Sequence, residues 1–285
     1  MPNVVLEQSV SETILPVHTK TKRELPGRFI GHRWIAMLDI LGFRRMIQTH
    51  PLMDLALDVQ RLFAAAEPRE ATYNSLGADG RVRTRSLTLG HLHFSDTIML
   101  WTPALNPSDP ELNTHVLLHI CTSVINLIAL ALANGIPLRC GIADGKCYID
   151  PAKQIAIGQA IVDAYLLEQS QEWLGAALNA RNLGDPATFV NLEPWGIIDY
   201  PVPMKDHAPT GPLLVLDWTS IARMPEGLTH KLWKVNARQS IESALSEGSE
   251  QSAETSAHSK WKNAAEFYQL QMQRRRSDWI AIRPE

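Results

Sequence analysis

The sequence predicts a mixed α+β fold, and three observations carry that prediction. Short β-rich runs alternate with stretches of helical period in the order β-α-β-β-α-β-α-β. The longest apolar run, Val116 to Ala133, is broken by His119, Thr122, Ser123 and Asn126. Those polar groups are costly in lipid, so the run reads as a core helix and not a membrane span. The chain has 285 residues, 45% hydrophobic and 20% charged, enough for one large domain or for a domain of ordinary size with appendages.

Residues 1 to 30 mix charges, threonine and proline without a sustained period and read as a tail. His32 to Ile40 is a β-rich run that carries an acid, Asp39, near its end, and Leu41-Gly42-Phe43 turns the chain into an amphipathic stretch from Arg44 to about Ala66. Glu67 to Gly80 contains Pro68, Asn74, Ser75, Gly77, Asp79 and Gly80, a turn-rich loop. Arg83 to His93 and Thr97 to Thr102 are extended in character and flank Phe94-Ser95-Asp96, which places Asp96 at a hairpin connection. Pro103 to Pro110 interrupts the chain. The helix from Glu111 to Ala133 follows, closed by Asn134-Gly135 and Pro137.

Leu138 to Ile149 reads as two strand pieces bent at Asp144-Gly145, and Gly158 to Glu172 has helical spacing. The stretches GAAL, GIIDYPV and LLVLDW are later strands, and Trp173, Trp195 and Trp218 at their edges read as packing residues. Asn236 to Ser259 is rich in Ser, Glu, Ala and Gln, either a flexible linker or an exposed helix. Lys260 to Ser277 is helical, with Trp261, Ala264, Phe267, Tyr268 and Met272 near one face and Arg274 to Arg276 at its end.

Composition excludes several classes of function. A net charge of -3 offers no general attraction to nucleic acid or an anionic membrane, and three terminal arginines are too few for a nucleic-acid footprint. Cys121, Cys140 and Cys147 are odd in number and lack CxxC spacing, so neither a disulfide framework nor a zinc site is expected. The N-terminus lacks the basic-then-apolar order of a secretory signal, and a cytoplasmic location is expected.

Asp39 stands at a strand end beside Gly42, whose freedom allows a sharp turn into a helix. On its own an aspartate there is more often a cap or turn residue. The same geometry aims the amides of Leu41, Gly42 and Phe43 at a neighbouring ligand; such amides favour phosphate, and a carboxylate beside them favours a hard cation. Asp96 completes a carboxylate pair if the two strands lie side by side. His91 and His93 alternate on one strand and are assigned no metal. Arg139 either contacts phosphate or a partner subunit, or pairs with a local carboxylate.

Four stretches in order, WIAMLDILGF, HFSDTIMLW, PLRCGIADGKCYI and IGQAIVDAYLLE, resemble the motifs of class III nucleotide cyclases over residues 34 to 168. The resemblance implies a ferredoxin-like α+β catalytic domain from 31 to 222 with helices on one face, preceded by the tail 1–30. A C-terminal extension, 223–285, would hold the polar linker and the final helix. It implies two Mn2+ or Mg2+ ions held by Asp39, Asp96 and the backbone carbonyl of Ile40, with Leu41, Gly42 and Phe43 on the triphosphate. A homodimer with shared active sites is implied as well.

In adenylate cyclases a lysine and an aspartate read the base at positions held here by Leu92 and Ile155, neither of which can make a base-edge hydrogen bond through its side chain. A different base is expected, though no residue is assigned to reading it. The family's catalytic asparagine and arginine correspond to Val162 and Leu166, so a non-catalytic nucleotide sensor stays open beside an active enzyme. For the active reading, Arg44, Arg45 and Arg139 are the nearest candidate cations. Ser-Asp-Thr in the hairpin, the Gly-x-Ala helix and Tyr200 to Lys205 resemble the bacterial pyrimidine cyclases of Pycsar anti-phage systems. That likeness implies UTP or CTP as substrate and a separate receptor for the cyclic product.

Overall fold

Side-chain alternation along β1 (Ile30–Ile40) decides the layering of the molecule. Trp34, Ala36, Leu38 and Ile40 enter the main hydrophobic cluster, whereas Ile35 and Met37 on the opposite face belong to a second, smaller one. A strand covered on both faces is a central strand. The computed structural model describes residues 30–66, 70–76, 82–181, 183, 192–206, 213–226, 236–252 and 257–281; the expected tail lies outside the described residues, apart from Ile30.

After β1 come α1 (Phe43–Thr49), α2 (Leu52–Ala66), β2 (Ala71–Leu76), β3 (Val82–Leu87), β4 (Gly90–Phe94), β5 (Thr97–Trp101), α3 (Pro110–Ala133) and β6 (Leu138–Asp150). The chain continues through β7 (Ile155–Gly158), α4 (Gln159–Ser170), β8 (Gly175–Asn179), β9 (Ile197–Ile198) and β10 (Leu213–Leu216). Two helices close it, α5 (Ala237–Gln251) and α6 (His258–Ala281). The main sheet runs β4-β5-β1-β6-β8-β10-β9, with β7 paired to β6.

β1 is antiparallel to both β5 and β6. The order β4-β5-β1-β6, with helices crossing between β1 and β4 and between β5 and β6, is the ferredoxin-like arrangement, and the fold is α+β as expected. Leu55, Val59 and Leu62 of α2 and the buried stripe of α3 pack on the Leu38 and Ile40 face. α3 is long and apolar enough to cross a membrane, but 67% of its most apolar stretch is buried inside the fold.

Several expectations are corrected. The helices do not all lie on one face, because α4 packs through Ala160 and Ala164 on the opposite side, against Ile35, Ala143 and Cys147. The amphipathic stretch after β1 is two helices, broken at His50-Pro51, since proline disfavours helical geometry in the residue before it. The turn-rich stretch holds a strand, β2, which pairs with β3 as a separate two-stranded sheet. β6 runs through Asp144-Gly145 without a break. Trp173 and Trp218 are buried as expected, but Trp195 is 55% exposed. The polar stretch after Asn236 forms α5, whose Ala237, Ile241, Ala244 and Leu245 are buried, so it is neither a linker nor an exposed helix.

Candidate active site

Sheet register brings the two aspartates together. Asp39 lies opposite Thr97 on β5 and opposite Arg139 on β6. Phe94 pairs with Thr97, which leaves Ser95 and Asp96 as a two-residue hairpin loop with Ser95 at φ 56°, the positive φ that tight hairpins demand. The Ile40 amide donates to the Asp96 carbonyl over 3.0 Å. In an extended strand a residue's N–H and C=O leave toward the same neighbour, so the Ile40 carbonyl is directed to the Asp96 side.

The turn after β1 is closed by the Leu41 amide donating to the Pro137 carbonyl over 2.9 Å. Gly42 follows at φ 73°, and nothing lies within 4 Å of where its Cβ would stand. The requirement for glycine is therefore conformational and not spatial. Leu41 is corrected as a phosphate donor, because its amide is already committed to Pro137. Gly42 precedes α1, which begins at Phe43. Arg44 and Arg45 are exposed on α1.

Asp39 is half-buried, and its carboxyl is raised to about 7 by burial first, then by the negative charges of Glu168 and Asp96, with Arg139 opposing. Arg139 is 3% exposed. Its Nε donates to Glu168 Oε1 over 2.6 Å, and another guanidinium nitrogen donates to the Gln171 carbonyl over 2.7 Å. Gln171 in turn donates to the carbonyls of Cys140 and Leu167 and accepts from Trp173 Nε1. Arg139 is thus a structural ion-pair partner and does not reach a phosphate. Burial pushes the Glu168 carboxyl up in spite of that partner.

Asp39, Asp96 and Glu168 together outweigh the single guanidinium, and such an excess is relieved by a bound cation. Among the described residues no group of three or more His, Cys, Asp or Glu converges as a metal cage. Two carboxylates and a carbonyl suit a hard divalent ion that completes its shell with water and substrate oxygens. His91 and His93 pair with Leu100 and Ile98, on the face away from Asp39, where His93 lies against Phe63.

Leu92 packs against the apolar cluster of Ile35, Met99 and Trp101, and Ile155 is 37% exposed on β7. Val162 and Leu166 are about half exposed on the outer side of α4. What the sequence alone missed is a cavity of about 460 Å3 at the C-terminal end of α4, lined by Asp163, Leu166, Ser170, Asn179, Arg181 and Lys205 among others. Lys205 Nζ donates to the Gln169 carbonyl over 2.6 Å, and burial and the nearby Arg139 lower its pKa. Lys205 closes the Tyr-Pro-Val-Pro-Met-Lys string and could have been noticed; Arg181 stands in no motif and acquires neighbours only through folding.

No protein-family model matches the chain, and no curated protein matches it. Among solved structures it is similar to a bacterial light-regulated adenylyl cyclase at a TM-score of 0.36 and 14% identity, over 53% of this chain and 44% of that one. A second structure of a bacterial light-regulated adenylyl cyclase gives 0.37 and 12%, over 75% and 98%. The catalytic core of a rhodopsin-guanylyl cyclase with converted specificity, in complex with ATPalphaS, gives 0.39 and 11%, over 66% and 96%. The chain spans less than half the length of the first of these.

Proposed function

We propose that the chain is a metal-dependent nucleotide cyclase converting UTP or CTP to the 3′,5′-cyclic monophosphate and pyrophosphate. The observation that carries this reading is the Ile40 to Asp96 backbone hydrogen bond of 3.0 Å. It joins the ends of two separate sequence motifs, so that two carboxylates share one edge of the site. The raised pKa of Asp39 supports it, as an anionic pocket in need of a cation.

Mg2+ or Mn2+, held by Asp39, Asp96 and the Ile40 carbonyl, would supply activation of the ribose 3′-hydroxyl and neutralisation of phosphate charge. Gly42 and Phe43 offer amides to the phosphate oxygens. The buried Arg139–Glu168 pair sets a rigid floor beneath Asp39. In the reaction the bond from O3′ to the α-phosphorus forms while the bond from that phosphorus to the bridging oxygen breaks. Pyrophosphate leaves with the electron pair, and the hydroxyl proton passes to solvent.

Leu92 and Ile155 place apolar side chains where adenylate cyclases read adenine, which favours another base; the pyrimidine assignment follows the likeness of the hairpin and helix motifs. Phe94, Ile157, Val162, Tyr165 and Leu166 are exposed apolar residues that fit a second copy of the chain, as a dimer with shared sites requires. The cyclic product would act in the cytoplasm as a second messenger in antiviral defence, read by a separate receptor.

The test is incubation of the purified protein with each of the four NTPs and manganese, with mass spectrometry of the product. Cyclic UMP or cyclic CMP is expected, and Asp39→Ala or Asp96→Ala should each lower its formation by about 10³-fold or more. Failure of all four NTPs to give a cyclic product sinks the reading, as does product that survives both substitutions. Val162 and Leu166, apolar at the positions of the family's asparagine and arginine, favour a second reading as a nucleotide sensor. Tight NTP binding by calorimetry without turnover would select it.

A further inference from the structure

Two apolar faces run along α2. Leu55, Val59 and Leu62 are buried against the sheet. Beside that stripe come Leu52, Met53 and Leu57, which are 71%, 70% and 44% exposed. At about 100° per residue they fall in one sector of the helix, with Ala56 between them. Ile47 of α1, before the His50-Pro51 break, is exposed as well. Large apolar side chains gathered in this way mark a surface that something covers. It is not the face assigned above to a second copy. α2 packs on the Leu38 and Ile40 side of the sheet, whereas α4, which carries Val162, Tyr165 and Leu166, packs on the other.

The charges around this face select what fits it. Arg44 and Arg45 are exposed on α1, Asp54 is exposed in the first turn of α2, and Asp58 is paired with Arg61 at 3.1 Å. An anionic lipid surface meets Asp54 and Asp58 with like charge. A fitting segment brings apolar side chains, acids for α1 and cations for the start of α2. The chain holds such a segment ahead of β1. Val4, Val5, Leu6, Val10, Ile14 and Val17 are interspersed with Glu7 and Glu12, no lysine or arginine occurs among the first 17 residues, and Lys20, Lys22 and Arg23 follow.

Reach is sufficient. Leu38 and Ile40, on which α2 packs, lie about 26 and 33 Å along β1 from Ile30 at the rise of a strand. The twelve residues 18–29 extend to about 40 Å. A tether of this length holds the segment at a roughly millimolar effective concentration over the helix.

We propose that residues 4–17 dock on the outer face of α1 and α2. Their apolar side chains cover Leu52, Met53 and Leu57, Glu7 and Glu12 meet Arg44 and Arg45, and the lysines that follow meet Asp54. The docked segment braces α1, the helix that begins at Phe43, directly after the turn that follows Asp39. The inference does not depend on the cyclase reading.

Hydroxyl-radical footprinting of the full-length protein, read by mass spectrometry, tests the contact at a side chain, because methionine oxidation follows exposure. Met224, 38% exposed and outside α1 and α2, is the internal reference. Met53 should oxidise more slowly than Met224 in the wild-type protein, the reverse of their order in the described fold. The double variant Leu6→Asp/Val10→Asp alters no residue of that fold. It should raise Met53 oxidation about fivefold or more and leave Met224 unchanged. Glu7→Arg/Glu12→Arg should weaken the protection, and adding Arg44→Glu/Arg45→Glu should restore it in part.

Equal Met53 oxidation in the wild type and in Leu6→Asp/Val10→Asp overturns the proposal, whether fast in both or slow in both. Protection that rises with protein concentration assigns the face to a second copy, and protection that needs phosphatidylserine vesicles assigns it to a membrane; either result overturns it too. If thermal melting shows that Leu6→Asp/Val10→Asp does not fold, the charge reversal and its rescue carry the test, and reversal without effect on Met53 is then the overturning result.

Discussion

Asp39 is the residue at which the proposed chemistry and stability oppose each other. In the metal-free protein its carboxyl is raised from an ordinary carboxylate value to about 7, so the folded state holds the proton more tightly than the unfolded chain. The stabilising contribution is complete below the unfolded pKa and is lost as pH rises through 7. Asp39→Asn removes this dependence. At pH 8 without metal the variant should melt roughly 2–4 °C above wild type, corresponding to about 1 kcal/mol once solvent screening of a half-buried group is allowed for. Below about pH 4 the difference should shrink toward zero. Saturating Mn2+ at pH 8 should raise the wild-type melting temperature and leave the variant's nearly unchanged, because binding to the folded state alone stabilises it. Scanning calorimetry at pH 8 and below about pH 4, with and without metal, reads all of this. The pair Asp39 and Asp96 was legible in the sequence because each stands beside a turn signal. The commitment of the Leu41 amide was not, since its acceptor Pro137 belongs to another element and only the folded sheet brings them together.

Between elements, the contact of α4 with β6 positions the Glu168 carboxylate under the site. A Cβ on Gly141 would stand 2.2 Å from the Ala164 carbonyl oxygen and 2.5 Å from the Glu168 amide nitrogen. Both are backbone atoms and neither can swing aside, so Gly141→Ala must lift α4 off the sheet. Overpacking of this kind costs about 1–3 kcal/mol, and urea denaturation should show a loss at the upper end of that range. On the proposed cyclase reading, activity should fall with it, since Glu168 rides on the displaced helix. The sequence made α4 visible through its helical spacing, and β1 and α3 through their apolar runs. β2 was hidden because Asn74, Ser75 and the glycines after them read as turn, outweighing the β-formers Thr72 and Tyr73. The unbroken course of β6 was hidden for a related reason. An aspartate and a glycine in sequence signal a bend, but Asp144 is held by His32 at 2.6 Å on the adjacent strand, and Gly145 faces Ala160 of α4.

Across the whole molecule, the C-terminal helices complete the core on the far side of the sheet from α4. Phe267 of α6 is fully buried and meets the ring of Trp173 edge-on with centroids 5.0 Å apart and that of Trp218 at 5.8 Å. Ile241 and Leu245 of α5 join the same cluster, with Trp261 and Ala264 of α6. Side chains of α6 are also tied to the segment just after α4, where Asn263 Nδ2 donates to the Glu172 carbonyl over 2.5 Å and Lys260 Nζ lies 3.5 Å from the Glu172 carboxylate. Sequence patterning exposed the apolar face of α6 but not its destination, because a helix of low hydrophobicity gives no hint of which aromatic residues it covers. A chain ending at residue 222 would leave Trp173 and Trp218 without these partners and uncover a contiguous apolar surface, a recognised cause of aggregation. Such a truncation should lose cooperative unfolding and accumulate as aggregate in sedimentation velocity. The graded counterpart is Phe267→Ala in the full-length protein, which should cost about 3–5 kcal/mol by urea denaturation. A loss below about 1 kcal/mol, or a cooperative monomeric fold for residues 30–222, would show that the sheet and its two crossover helices stand without α5 and α6.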